Sequence, residues 1–139
     1  MVTGRIYSFQ SLGTADGPGV RAVVFMQGCP LRCACCHNPD TWDFNGGTDV
    51  TPDEIFRKVK RLKNYFGEDG GVTVSGGEPL MQPEFIKELF TLCKTDGITT
   101  AIDTSGCVLN DKIKEVLNLT DTVLLDYKYI TDELYKTKV

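Results

Sequence analysis

The chain has 139 residues, 41% of them hydrophobic and 24% charged, with a formal net charge of -4. That is enough apolar material for one ordinary globular domain, while the acidic balance argues against nucleic acid or an anionic membrane as partner, since both need a basic surface. No stretch approaches the roughly 18 apolar residues of a membrane span and MVTGRIYSFQ has no apolar signal core, so the expected compartment is the cytoplasm.

In chain order, residues 20–27 (VRAVVFMQ) form a valine-rich run that reads as a buried strand, and a cysteine-rich loop follows it directly. After Asn45-Gly46-Gly47, Thr51 is a capping residue and Pro52 suits the first helical position. Ile55, Val59, Leu62 and Phe66 then recur at helical spacing up to a stop at Gly67. VTVSGGEP reads as a short strand running into glycines. Residues 82–94 read as a helix with Phe85, Leu89 and Leu92 on one face. Residues 98–103 read as a strand, 111–119 as a helix, 122–127 as a strand and 132–138 as the start of a further helix.

Four strands alternating with helices predict parallel strands joined by right-handed crossovers, in an open doubly wound sheet or in part of a barrel. Both architectures gather ligands at the carboxyl ends of the strands. The unusual segments all fall there: the cysteine loop, SGGEP, DTSG and DYK.

Four of the six cysteines lie within the eight residues CPLRCACC. Such crowding, without an export signal, speaks for reduced thiols engaged in metal or redox chemistry rather than for three disulfides. Cys29, Cys33 and Cys36 are spaced CxxxCxxC, an arc that can wrap three thiolates around one face of a cubane cluster and leave its fourth iron open. Zinc normally takes four closed ligands from two separated pairs. Cys35 or His37 is at hand as a fourth, but only one such knuckle is present. Gly76 and Gly77 let backbone approach a ligand closely, although glycine pairs also mark plain turns. Asp103, Asp126 and Lys128 fall at strand ends, where a helix cap and a surface ion pair are the plain alternatives. Asp16-Gly17-Pro18-Gly19 is a turn by composition. Cys93 and Cys107 read as small hydrophobic or surface residues.

CxxxCxxC after the first strand, GGE after the second and the parallel α/β order resemble the radical S-adenosylmethionine superfamily. GRIYSFQSLGTADGPGVR, FMQGCPLRCACCHNPDTWD, VTVSGGEPL, DTSG and LLDYK together resemble its glycyl radical enzyme activase branch, in particular the activases of pyruvate formate-lyase. The resemblance implies a partial parallel (β/α) barrel with about four β/α units present, and a single domain over residues 1–139 forming the N-terminal portion of a longer barrel. It implies a [4Fe-4S] cluster on Cys29, Cys33 and Cys36 that reductively cleaves S-adenosylmethionine to place a glycyl radical on pyruvate formate-lyase. No side chain is then expected to act as a general acid or base.

The resemblance further assigns Gly76, Gly77 and Glu78 to the amino group of S-adenosylmethionine. Asp103, Asp126, Tyr127 and Lys128 go to its methionine and ribose portions, and Asp103, Thr104 and Asp126 to a monovalent cation. Cys35 and His37 go beside the adenine, with Cys35 standing where the family usually has an aromatic residue, and Cys36 is counted among the cofactor contacts as well as the cluster ligands. Asp16, Gly17 and Arg21 are placed against the partner's glycine-bearing loop. A flavodoxin or ferredoxin is implied as electron donor, to a monomeric protein. Two rival readings are an activase of anaerobic ribonucleotide reductase or another glycyl radical enzyme, and a zinc or ferredoxin-like module without this chemistry.

Overall fold

The computed structural model describes residues 2–13, 17, 19–28, 43, 45–104 and 110–125. Its strands are β1 (Gly4–Gly13), β2 (Arg21–Met26), β3 (Thr48–Val50), β4 (Gly71–Gly76), β5 (Thr99–Thr104) and β6 (Thr122–Leu125). They form one sheet in the order β3-β1-β2-β4-β5-β6. β2, β4, β5 and β6 pair in parallel, with α1 (Pro52–Arg61), α2 (Lys63–Phe66), α3 (Pro83–Thr95) and α4 (Asp111–Asn118) in the connections. The expected alternation of strand and helix is present.

Two strands come in addition. β1 runs antiparallel to β2, and β3 antiparallel to β1. β1 has no clean two-residue alternation of buried and exposed positions, and β3 has only three residues, so neither leaves a periodic signal in the sequence.

Local chemistry fixes the helix ends. Thr51 caps α1 by accepting the Glu54 N–H at 3.2 Å, Pro52 opens the helix, acidic Asp53 and Glu54 fill its first turn, and Lys58, Lys60 and Arg61 its last. The single helix expected up to Gly67 is interrupted at Leu62, whose N–H turns back to the Val59 carbonyl. α2 then completes it to Gly67, with φ +64°. In α3 the buried stripe is Phe85, Ile86, Leu89, Phe90 and Cys93, whereas Leu92, expected on that stripe, is only half-buried. Asn110 caps α4 through the Ile113 N–H at 3.0 Å.

The helices share one core with one face of the sheet. Ile55, Val59, Phe85, Leu89, Phe90 and Ile113 pack with Ala22, Val24, Met26, Val72, Val74 and Ile102. Full burial of each such side chain contributes roughly 1.5–3 kcal/mol. Alternation along the strands turns Arg21, Val23, Thr73, Ser75, Ala101 and Asp103 to the other face. The sheet thus has one helix-covered apolar face and one lined largely by small and polar side chains. At the sheet margin Val123 and Leu125 remain 47% and 49% exposed. Among the described residues no helix is long and apolar enough to cross a membrane.

Candidate functional site

The site lies where β2 and β4 end. Gly76, the register partner of Met26, has φ +100°, and a Cβ there would stand 2.3 Å from the Met26 nitrogen, so only glycine lets the two backbones meet. β2 leaves the ladder at this point and its last carbonyls are held by the segment after β4. The Gly77 N–H donates to the Met26 carbonyl (3.0 Å) and the Glu78 N–H to the Gly28 carbonyl (2.9 Å). Gly28, itself at φ +103°, directly precedes Cys29. The SGGEP turn therefore touches the very start of the cysteine loop.

The ends of β4 and β5 are joined on both sheet faces. On the helix-covered face the Thr104 hydroxyl donates to Glu78 Oε1, which also accepts the Leu80 N–H at 3.3 Å. On the opposite face the Ser75 hydroxyl donates to Asp103 Oδ2 at 3.2 Å.

These contacts bear on two expectations. Glu78 is 1% exposed and its carboxylate is turned inward, holding Leu80 and Thr104. The backbone of Gly76 and Gly77 beside it is half-buried. Asp103 and Thr104, adjacent in an extended strand, point their side chains to opposite faces, so these two side chains do not converge on one cation. Asp103 is half-buried, on the sheet face opposite the helices.

Arg21 departs furthest from its expected role. It opens β2, at the amino end of the strand, and is 1% exposed. Its guanidinium donates to Thr73 Oγ1 (2.7 Å) and to the carbonyls of Asp69 (3.0 Å), Val72 (3.1 Å) and Thr99 (3.4 Å), which lashes β2 to β4 and β5. Burial lowers its pKa from the ordinary value, with Asp121 opposing the shift; an arginine nonetheless keeps its charge. Gly17, with φ +124°, packs so closely that a Cβ would lie 3.1 Å from Arg21 Cδ. Arg21 thus ties β2 to β4 and β5 at the amino ends of these strands.

Residues that sequence reasoning passed over hold the base of the cysteine loop. Gln27 Nε2 donates to the Asp43 carbonyl (2.7 Å), spanning from one side of the loop to the other. Arg5 Nη1 donates to the carbonyls of Asn45 (2.9 Å) and Gly46 (2.8 Å). The one available signal was a polar Gln27 closing an apolar strand.

Cys29, Cys33, Cys35, Cys36, His37, Asp16, Asp126, Tyr127 and Lys128 lie outside the described residues, as does the helix expected over 132–138. Among the described residues no three metal-ligating side chains gather. Cys93 is fully buried in the core, and burial, with Asp96 adding, pushes its thiol up to about 12; such a thiol is inert. A groove of about 670 Å³ runs between α1, α3 and α4, lined by Pro52, Asp53, Pro83, Glu84 and Lys112, and includes no expected site residue.

The surroundings fit an iron-sulfur cluster. Soft thiolate donors at CxxxCxxC suit iron-sulfur ligation. The described residues on either side of them are tethered, Gly28 to the Glu78 N–H and Asp43 to the Gln27 side chain, at the carboxyl ends of parallel strands.

Comparison with known proteins agrees with this geometry. The pyruvate formate-lyase-activating enzyme of Clostridium pasteurianum is 54% identical over 137 residues, covering 98% of this chain and 57% of the relative. The pyruvate formate-lyase 1-activating enzyme of Escherichia coli (strain K12) is 46% identical over 141 residues, covering 99% and 57%, and the enzyme of Listeria monocytogenes is 48% identical over 139 residues, covering 95% and 56%. The chain thus spans a little over half the length of these curated relatives. Among solved structures, Streptococcus suis SuiB bound to precursor peptide SuiA aligns with TM-score 0.57 at 20% identity, over 73% of this chain and 22% of that one, a likeness of fold. The family described as the 4Fe-4S single cluster domain matches residues 15–139, and the chain belongs to that family.

Proposed function

We propose that the protein is a radical S-adenosylmethionine activase that generates a glycyl radical on pyruvate formate-lyase. The observation that supports this most is the hydrogen bond from the Glu78 N–H to the Gly28 carbonyl, which sets the start of the cysteine loop against the glycines of SGGEP. The identity to activating enzymes of that name supports the choice of partner.

In this reading Cys29, Cys33 and Cys36 hold the [4Fe-4S] cluster. Once bound, the cluster would supply the electron for reductive cleavage of S-adenosylmethionine. The chain's own part is positioning. The backbone of Gly76 and Gly77 takes the amino group, Asp103 is held for its ligand by Ser75, and Cys35, His37, Asp126, Tyr127 and Lys128 line the remainder. Asp126 also serves the monovalent cation, while Asp16 and Gly17 meet the glycine-bearing loop. The strands continue past β6 into a partial barrel whose next elements cover Val123 and Leu125. The protein works as a cytoplasmic monomer, with a flavodoxin or ferredoxin as donor.

The test is anaerobic incubation of the reduced, cluster-loaded full-length protein with S-adenosylmethionine and pyruvate formate-lyase, read by electron paramagnetic resonance. A glycyl radical doublet is expected. Cofactor cleavage without the doublet would point to a different glycyl radical enzyme as partner, and no cleavage would refute the reading.

A further inference from the structure

We infer that Gln82 is a positioning residue for the cluster, acting through the base of the cysteine loop in concert with Gln27 and Arg5. Gln82 stands immediately before α3, where a capping Ser, Thr, Asp or Asn would be ordinary, and its side chain makes no capping bond to the helix. The carboxamide reaches instead across the sheet end. Its Nε2 donates to the Gln27 carbonyl (3.0 Å) and to the Arg5 carbonyl (2.9 Å), and its Oε1 accepts the Arg5 N–H (2.8 Å).

A primary amide that both donates to and accepts from one backbone residue does the work of a neighbouring strand. Gln82 therefore extends the ladder by one position at the place where β2 stops. With it, the carbonyls of Met26, Gln27 and Gly28 are held in succession from the 77–82 segment, by the Gly77 N–H, the Gln82 side chain and the Glu78 N–H. The next residue is Cys29.

The grip continues to the far side of the loop. The Gln27 N–H donates to the Arg5 carbonyl (3.1 Å), the Gln27 side chain holds Asp43, and the Arg5 guanidinium holds Asn45 and Gly46 while lying 3.3 Å from Asp49. Gly46 fits closely enough that a Cβ would stand 2.8 Å from Gln27 Nε2. Both ends of the cysteine-bearing stretch are thus fixed by three side chains from β1, the end of β2 and the approach to α3. Thiolate ligands fixed before the metal arrives retain it better than ligands that must first be ordered.

The inference rests on the cluster and not on the fate of S-adenosylmethionine, so its test needs no turnover. The reconstituted full-length protein is exposed to an iron chelator, and iron release and the paramagnetic resonance spectrum of the reduced cluster are followed in Gln82→Met and Gln27→Ala variants. Each is expected to lose iron about tenfold faster, the scale of one lost hydrogen bond, with a broadened cluster signal. Val116→Ala, in the apolar core of α4, loosens the fold elsewhere and is expected to release iron at the parental rate. Parental release and spectrum in Gln27→Ala, or in a folded Gln82→Met, would overturn the inference, as would equal acceleration in Val116→Ala. A parental protein that takes up no cluster would instead refute the functional reading.

Discussion

At the amino ends of the parallel strands, Arg21 gathers Thr73, Asp69, Val72 and Thr99 around an enclosed guanidinium, and the polar groups there satisfy one another. At the carboxyl ends the arrangement is reversed. Backbone carbonyls of β2 are held by N–H groups and amide side chains, glycine keeps the surface bare of side chains, and the chain opens into the cysteine loop. At the one end a buried charged side chain ties the strands together, whereas at the other a backbone free of side chains leaves space beside it. The difference separates the end that stabilises the sheet from the end at which folds of parallel strands commonly bind ligands.

Exchanging the roles of these ends should fail, and the largest effect on stability is expected at Arg21. Arg21→Met leaves several buried acceptors without donors, each costing about 1–3 kcal/mol, so urea unfolding should show a loss of about 3 kcal/mol or more. A loss below about 1 kcal/mol would mean that the guanidinium is not the tie between β2, β4 and β5. Gly76→Ala should cost less in stability, about 2 kcal/mol for an unfavourable φ, yet do more harm to the site, because the added Cβ must push Met26 away from the turn. In the full-length protein the sharp outcome is iron content. Gly76→Ala should reconstitute poorly, whereas Arg21→Met, below its lowered unfolding midpoint, should still take up iron. The opposite ranking would erase the distinction between the two ends.

Much of this was legible in the sequence. Thr51-Pro52 and Gly67 announced the limits of the first helical stretch, the valines of β2 and β4 announced strands buried on both faces, and every cofactor-type motif fell after a strand. Those signals are local. Motifs at strand ends reveal which end is functional, but not which way a side chain turns. The motifs pointed to a ligand for Glu78 and Arg21 but not to their contacts within the fold, since Thr104 lies 26 residues from Glu78 and Thr73 lies 52 from Arg21. Gln82 and Arg5 left no mark at all for the same reason. Their bond crosses 77 residues and replaces a ladder contact that no periodicity records.

In the proposed activase three cysteines, and not the fourth in their midst, hold the cluster. Its most direct measurement is the visible absorbance of anaerobically reconstituted full-length variants. Cys29→Ala, Cys33→Ala and Cys36→Ala should each lose the charge-transfer band, and Cys35→Ala should keep it. Equal loss in Cys35→Ala, or retention in any one of the other three, would contradict the account.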